Sequence, residues 1–210
     1  MWIFIWVILS AFVLGVFGWS QVILQQQKRC WAIFAKRHNL SYTSGKFTES
    51  PTLTGTMDGF RINLSTAAQQ TADARGQRFF TLIEVNLGPG LTTSAAIATP
   101  TFEILLGELK MKESLPIAAD QDWSAAYLNR ARNAKDLEAY LTVERRKALH
   151  DIFSMKTVRA IFFFDEIDAV LHLETTDPLR NPDAMEKIVK RILKNLKVLA
   201  PQIPAQAASV

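Results

Sequence analysis

The chain has 210 residues, 49% of them hydrophobic and 21% charged, with a formal charge of +4. That is the composition of a globular protein and excludes a disordered one. The single cysteine, Cys30, excludes an intrachain disulfide and a Cys-rich metal site, and agrees with a reducing compartment.

Met1 to Leu24 carries no charged side chain, and the first one after it is Lys28. As a helix, Trp2 to Leu24 would extend about 34 Å, enough to cross a hydrocarbon core of about 30 Å. Trp2 and Trp6 at one end, and Trp19 and Trp31 near the other, are placed as interfacial aromatic belts would be. Residues 1–24 are therefore read as a single-pass transmembrane anchor. A cleaved signal peptide would have a basic leading segment and a shorter apolar core. Lys28, Arg29, Lys36 and Arg37 follow the span, and basic flanks stay in the cytoplasm. The expected topology is N-terminus outside, domain in the cytoplasm.

Residues 25–39 contain no Gly or Pro and read as a juxtamembrane continuation of the helix, with Trp31, Phe34 and Ile33 toward the domain and Asn39 as its stop. Leu53–Met57, Asp58-Gly59 and Phe60–Ser65 read as a hairpin, since Asp-Gly suits the positive φ angles of a type I′ turn. The apolar-poor stretch Ala67–Arg78 reads as a loop. Phe79–Leu87 reads as a strand with Phe79, Ile83, Val85 and Leu87 on one face, stopped by Gly88-Pro89-Gly90. Thr101–Leu106 reads as a further strand. Together they give an antiparallel meander lobe over residues 40–110.

From Asp136 the apolar period becomes helical, and Thr142 is placed to cap a helix running to Ser154. Val158–Phe164 and Ile167–Thr175 are two strands joined at Asp165-Glu166. Asn181-Pro182-Asp183 supplies an N-cap, a proline at the first helical position and an acid in the first turn of a closing helix. Its apolar stripe runs from Met185 to Leu199. Residues 125–200 form an α-β-β-α lobe, and 201–210 a tail. The expected fold class is α+β: one transmembrane helix, then antiparallel sheet packed with helices, with two small lobes as one arrangement.

Three segments, LTGTMDGFRINL, LEAYLTVERRKALHDIF with its strand pair, and MEKIVKRILKNLKVLAP, occur in an order that resembles uncharacterised single-span bacterial inner-membrane proteins with a cytoplasmic α+β domain of unknown function. That resemblance implies an inner-membrane location and no activity.

Ile161–Phe164 followed by Asp165-Glu166 has the form of a Walker B strand, but no G-x-x-x-x-G-K-[ST] accompanies it. His38, His150 and His172 lack metal-ligand spacing. Asp168, His172 and Glu174 would share a strand face and, with Asp165, form an acid/base cluster or a solvated one. No catalytic residue, cofactor or metal is assigned. Lys187, Lys190, Arg191, Lys194 and Lys197 lie opposite the closing helix's apolar stripe; their default reading is a solvated helix face, and the functional one is contact with an anionic leaflet at ~1 kcal/mol per residue. No nucleic-acid fold signature is present. Gly15 and Gly18 would let a partner helix approach the span. The expected function is a non-catalytic accessory or scaffold subunit, with the lipid bilayer and another integral membrane protein as partners. The alternative is a membrane-bound enzyme, or a lipid or small-ligand binder, with a site near residues 165–174.

Overall fold

The computed structural model describes residues 2–46, 49–70, 77–91, 93–111, 113–117 and 123–200. It is an α+β fold. Helix α1, Trp2–His38, runs without a break from the apolar stretch into the domain. Asn39 adopts a left-handed φ of 53°, and the Leu40 N–H donates to the Ala35 carbonyl at 2.9 Å, which closes the helix. Its last turns carry a buried stripe of Cys30, Trp31, Phe34 and Ala35. Ile33 falls between stripe positions and is exposed.

Eight strands, among the described residues, form one antiparallel sheet: β1 (Ser41–Thr43), β2 (Thr52–Met57), β3 (Phe60–Gln70), β4 (Gln77–Pro89), β5 (Ala95–Ala98), β6 (Leu128–Ala131), β7 (Val158–Phe164) and β8 (Asp168–Thr175). Their order is β1-β2-β3-β4-β8-β7-β5-β6. The meander β1–β4 therefore joins the later strands at β8, where Ile83 pairs with Leu173 and Val85 with Leu171, while β5 leaves that meander and lies between β7 and β6. Asp58 and Gly59 take φ angles of 54° and 88° at the β2–β3 turn. Gly90 passes so close to the β7–β8 turn that an added Cβ would collide with the Asp165 carbonyl oxygen.

Two readings of the sequence need correction. Ala67–Arg78 is not a loop throughout: β3 continues to Gln70 and β4 starts at Gln77. Residues 71–76 lie outside the described residues, as does the tail 201–210. The two strands project past the core, where a paired backbone needs no apolar alternation. Thr101–Leu106 is not a strand. Pro100 starts a 3₁₀ turn, Pro100–Phe102, and helix α2 follows at Glu103–Glu108. Only Leu106 of that stretch is buried. It covers Ala96, Ala98 and Ile161 on the side of the sheet away from the main core.

The other face carries the main core. Helices α3 (Ala134–Tyr140), α4 (Val143–Phe153) and α5 (Pro182–Leu199) join the end of α1 over it. Thr142 accepts from the Arg145 N–H at 3.4 Å, and Asn181 from Asp183 and Ala184 at 2.9 and 3.1 Å. These are the N-caps of α4 and α5. The α5 stripe Met185, Val189, Ile192, Leu193, Leu196 and Leu199 is wholly buried. Tyr140 packs its ring on Phe164 at 4.8 Å and donates its hydroxyl to the Leu199 carbonyl at 2.8 Å, tying α3 to the end of α5. One contiguous core thus links α1, both halves of the sheet and the closing helices.

Candidate functional site

The first region to consider is the junction of α1 with the sheet. Every described residue from Trp2 to Ser20 is exposed, including Trp2, Trp6 and Trp19. A helix that is apolar on all sides has no stable place in water. This part of α1 is long and apolar enough to cross a membrane. From Gln27 the same helix enters the domain. Gln27 Nε2 donates to Thr66 Oγ1 at 3.4 Å, and Lys28 Nζ donates to the Gly45 and Lys46 carbonyls at 3.3 and 2.6 Å. Lys28, predicted as a headgroup-facing flank, is buried against these carbonyls, while Arg29 stays exposed. Trp31, read as part of the aromatic belt, is fully buried in the domain. It lies one helical turn from Lys28, on the face that meets the sheet, so it is closed to headgroups.

β3 and β4 run alongside α1 toward the apolar span. Thr66 meets Gln27; Phe79, on the partner strand nearer the hairpin tip, borders the same cleft as Ile23 and Leu24. Phe79 shares its strand face with Ile83, Val85 and Leu87, yet it is 63% exposed because it lies beyond the core. The cleft between α1 and this hairpin measures about 390 Å³. Its walls include Ile23, Leu24, Phe79, Phe80 and Pro178, with Thr66 and Thr81 deeper in. The Gln21 side-chain oxygen at its wall is buried without a hydrogen-bond partner.

The second region is the sheet face away from the main core. Here Glu84, on β4, and His172, on β8, are direct cross-strand partners. His172 Nδ1 lies 3.2 Å from Glu84, and Nε2 lies 3.5 Å from Glu174. The Phe102 ring packs edge-on against the imidazole at 6.0 Å. Hydrogen bonding to Glu174, and then to Glu84, holds the imidazole above its usual pKa despite partial burial. Both ring nitrogens face carboxylates, so the cluster favours an imidazolium ion.

The sequence grouped Asp165 and Asp168 with His172. Asp168 shares the strand face but is four residues away, about 13 Å along a strand. Asp165 accepts the N–H groups of Ile167 and Asp168 at 2.7 and 2.9 Å, and these bonds hold its carboxyl below the usual range. Glu166 pairs with Arg132 at 3.1 Å. The acidic pair thus shapes and pins a hairpin turn. Glu84, the residue His172 does meet, is distant in sequence and could have been found only from the strand register. His150 bonds Tyr127 at 3.1 Å, and His38 packs on Phe34 at 4.7 Å. Among the described residues no group of three or more His, Cys, Asp or Glu is placed to hold a metal.

The third region is the polar face of α5. Three of its five predicted lipid contacts are engaged within the protein: Lys190 with Glu186 at 2.7 Å, Arg191 Nε with Asp151 at 3.0 Å, and Lys197 with Asp58 at 2.7 Å. Asp58 sits at the far end of β3 from Thr66, eight residues and about 27 Å away. That distance removes Lys197 from the headgroup plane. Lys194 adds to the positive field on Asp151. Lys187 lines a second cleft with Ile188 and Thr157.

Among the described residues, these features define one class: a single apolar helix continuous with an α+β domain. No protein-family model matches the chain, and no curated protein matches it. The chain is similar in fold to the crystal structure of the mycobacterial trehalose monomycolate transport factor A, TtfA. The match has a TM-score of 0.52 at 11% identity, over 85% of this chain and 98% of that one. At that identity the likeness is one of fold.

Proposed function

We propose that this chain is a non-catalytic accessory or scaffold subunit of a membrane protein complex. Residues 1–24 anchor it in the bacterial inner membrane, N-terminus outside and domain in the cytoplasm, beside another integral membrane protein. One observation carries the reading: α1 is exposed and apolar through Ser20, then buried at Cys30, Trp31, Phe34 and Ala35 without a break. The domain is thereby held at a fixed height and orientation. Tethering raises the effective concentration of a binding surface near other membrane components, which benefits a subunit more than an enzyme for soluble substrates. The fold neighbour's name, a transport factor, fits an accessory role beside membrane transport machinery. Gly15 and Gly18 leave open space along the span for a partner helix.

The enzymatic alternative draws on His172 between Glu84 and Glu174. Its sequence-predicted partner Asp165 is occupied by its own turn, which favours an ion cluster over an acid/base pair. The test is tagged purification in mild detergent after crosslinking in intact membranes. The expected result is an integral membrane protein that co-purifies with the full chain and is weakened when residues 1–24 are replaced by an unrelated span. A monodisperse monomer with no crosslinked partner would contradict the proposal.

A further inference from the structure

The cleft between α1 and the β3–β4 hairpin stands where the apolar span ends. Thr66 is level with Gln27, and Gln70 lies four residues nearer the hairpin tip, about 13 Å. Phe79, paired with Ala68, lines the cleft beside Ser20, Ile23 and Leu24, so the described part of the hairpin reaches the last turns of the apolar stretch.

Three properties of the cleft follow from its lining. Ile23, Leu24, Phe79, Phe80 and Pro178 give the cleft its apolar lining, with Ser20 and Gln21 beside them on α1, and Ile23 and Leu24 lie in the turn that follows the exposed apolar span. Phe79 is a large exposed aromatic at the level where aromatic side chains border membranes. Thr81 and Phe80 at the cleft wall are 2% and 3% exposed, and Thr81 donates its hydroxyl to the Asp177 carbonyl at 2.8 Å. The volume of about 390 Å³ is large enough for part of an apolar tail. Arg29 and Lys46 are exposed just beyond it, where they would meet anionic headgroups.

We propose that this cleft takes one acyl chain of a phospholipid from the leaflet on the domain's side of the bilayer, so that the domain is seated on the membrane through a bound lipid as well as through its anchor. The inference rests on reading α1 as the membrane span. It deepens the anchored-subunit proposal by adding lipid as a structural partner.

The experiment uses the full chain in nanodiscs of phosphatidylcholine with a minority of phosphatidylglycerol, some of the phosphatidylcholine bearing a diazirine on its acyl chain. After irradiation, lipid adducts are mapped by peptide mass spectrometry. Adducts between Val7 and Val16 report the span itself. Adducts on the buried Phe80 and Thr81, and on Pro178, report the cleft. The expected result is both sets. Thr176→Trp should lower the second several-fold and leave the first unchanged, because Thr176 is exposed at the cleft wall and the larger ring would fill it. Labelling of Val7–Val16 with none at Phe80, Thr81 and Pro178 would overturn the lipid site and leave the anchor standing. Labelling at those three residues that is indifferent to Thr176→Trp would overturn the lipid site in the same way. Absence of both sets would overturn the anchor and the lipid site together. An unchanged melting curve for the Thr176→Trp domain excludes unfolding as the cause of any loss.

Discussion

The two ends of α1 are made of similar residues and meet opposite environments. Phe12 and Phe34 belong to one unbroken helix, yet Phe12 is 68% exposed and Phe34 is fully buried. Around Phe12 every neighbour is apolar or small, so no face is distinguished. Around Phe34 the apolar positions Cys30, Trp31, Phe34 and Ala35 fall on one side, with Lys36 and Arg37 turned outward. An all-round apolar surface suits a solvent that is itself apolar, whereas a stripe suits a protein core with water behind it. The arrangement of polar residues around the helix, more than the count of apolar ones, decides which partner each end finds.

The strongest way to break this contrast is to truncate one phenylalanine at each end. Phe34→Ala should destabilise the domain by about 3–5 kcal/mol, as removal of a fully buried ring does. Phe12→Ala should leave domain unfolding unchanged. Denaturant titration of both variants in detergent, followed by near-UV circular dichroism, measures the difference. Comparable losses would mean that the two ends share one environment.

Thiol chemistry gives a second comparison within the distal turns. Burial pushes the Cys30 thiol up to about 11, so little thiolate exists at neutral pH. Its sulfur lies 3.9 Å from the Met185 sulfur, against α5. In a Cys30→Ser background, cysteine at the exposed Ile33 position should react with N-ethylmaleimide about a hundredfold faster than native Cys30 does. Equal rates would show that the α1–α5 contact opens readily.

The smallest effect concerns pH and belongs to the domain alone. The folded-state pKa of His172 is raised, first by Glu174 and then by Glu84, above the ordinary value of 6.5. The imidazolium's contribution is therefore fully present below about pH 6.5 and is lost as pH rises through the folded value. His172→Gln should cost stability at pH 5.5, by less than about 1 kcal/mol for a partly exposed cluster, and less again at pH 9. The same pH dependence should persist in the Phe12→Ala chain. A His172→Gln penalty that grows with pH would reverse the sign and remove the ion cluster from the account.

The parts legible in the sequence are those whose signals are local. Asp58-Gly59 fixes a hairpin turn, Asn181-Pro182 starts α5, and the closing stripe is a clean helical repeat. Strand β5 was invisible because Ala95, Ala96, Ile97 and Ala98 are covered on both faces, by the main core and by α2, and so show no alternation. Phe102, Ile104 and Leu106 alternate, yet Pro100 starts a helical turn there and Ile104 is 81% exposed. The His172 cluster was half legible: Glu174 is two residues away, whereas Glu84 arrives through the β4–β8 register. The cleft beside α1 was not legible at all, because it depends on how far an apolar-poor hairpin projects along the helix.

Nitroxide scanning reads out whether α1 passes without a hinge from a bilayer into the domain. Single cysteines placed from Trp2 to Ile33 in a Cys30→Ser background, spin-labelled in lipid nanodiscs, report access to oxygen and to a water-soluble nickel chelate. A continuous span should show high oxygen and low nickel access at every position through Ser20. It should then show a helical alternation of protected and water-accessible sites from Gln27 to Ile33. Nickel access equal to oxygen access between Val7 and Val16, or a break in helical periodicity between Leu24 and Lys28, would contradict it.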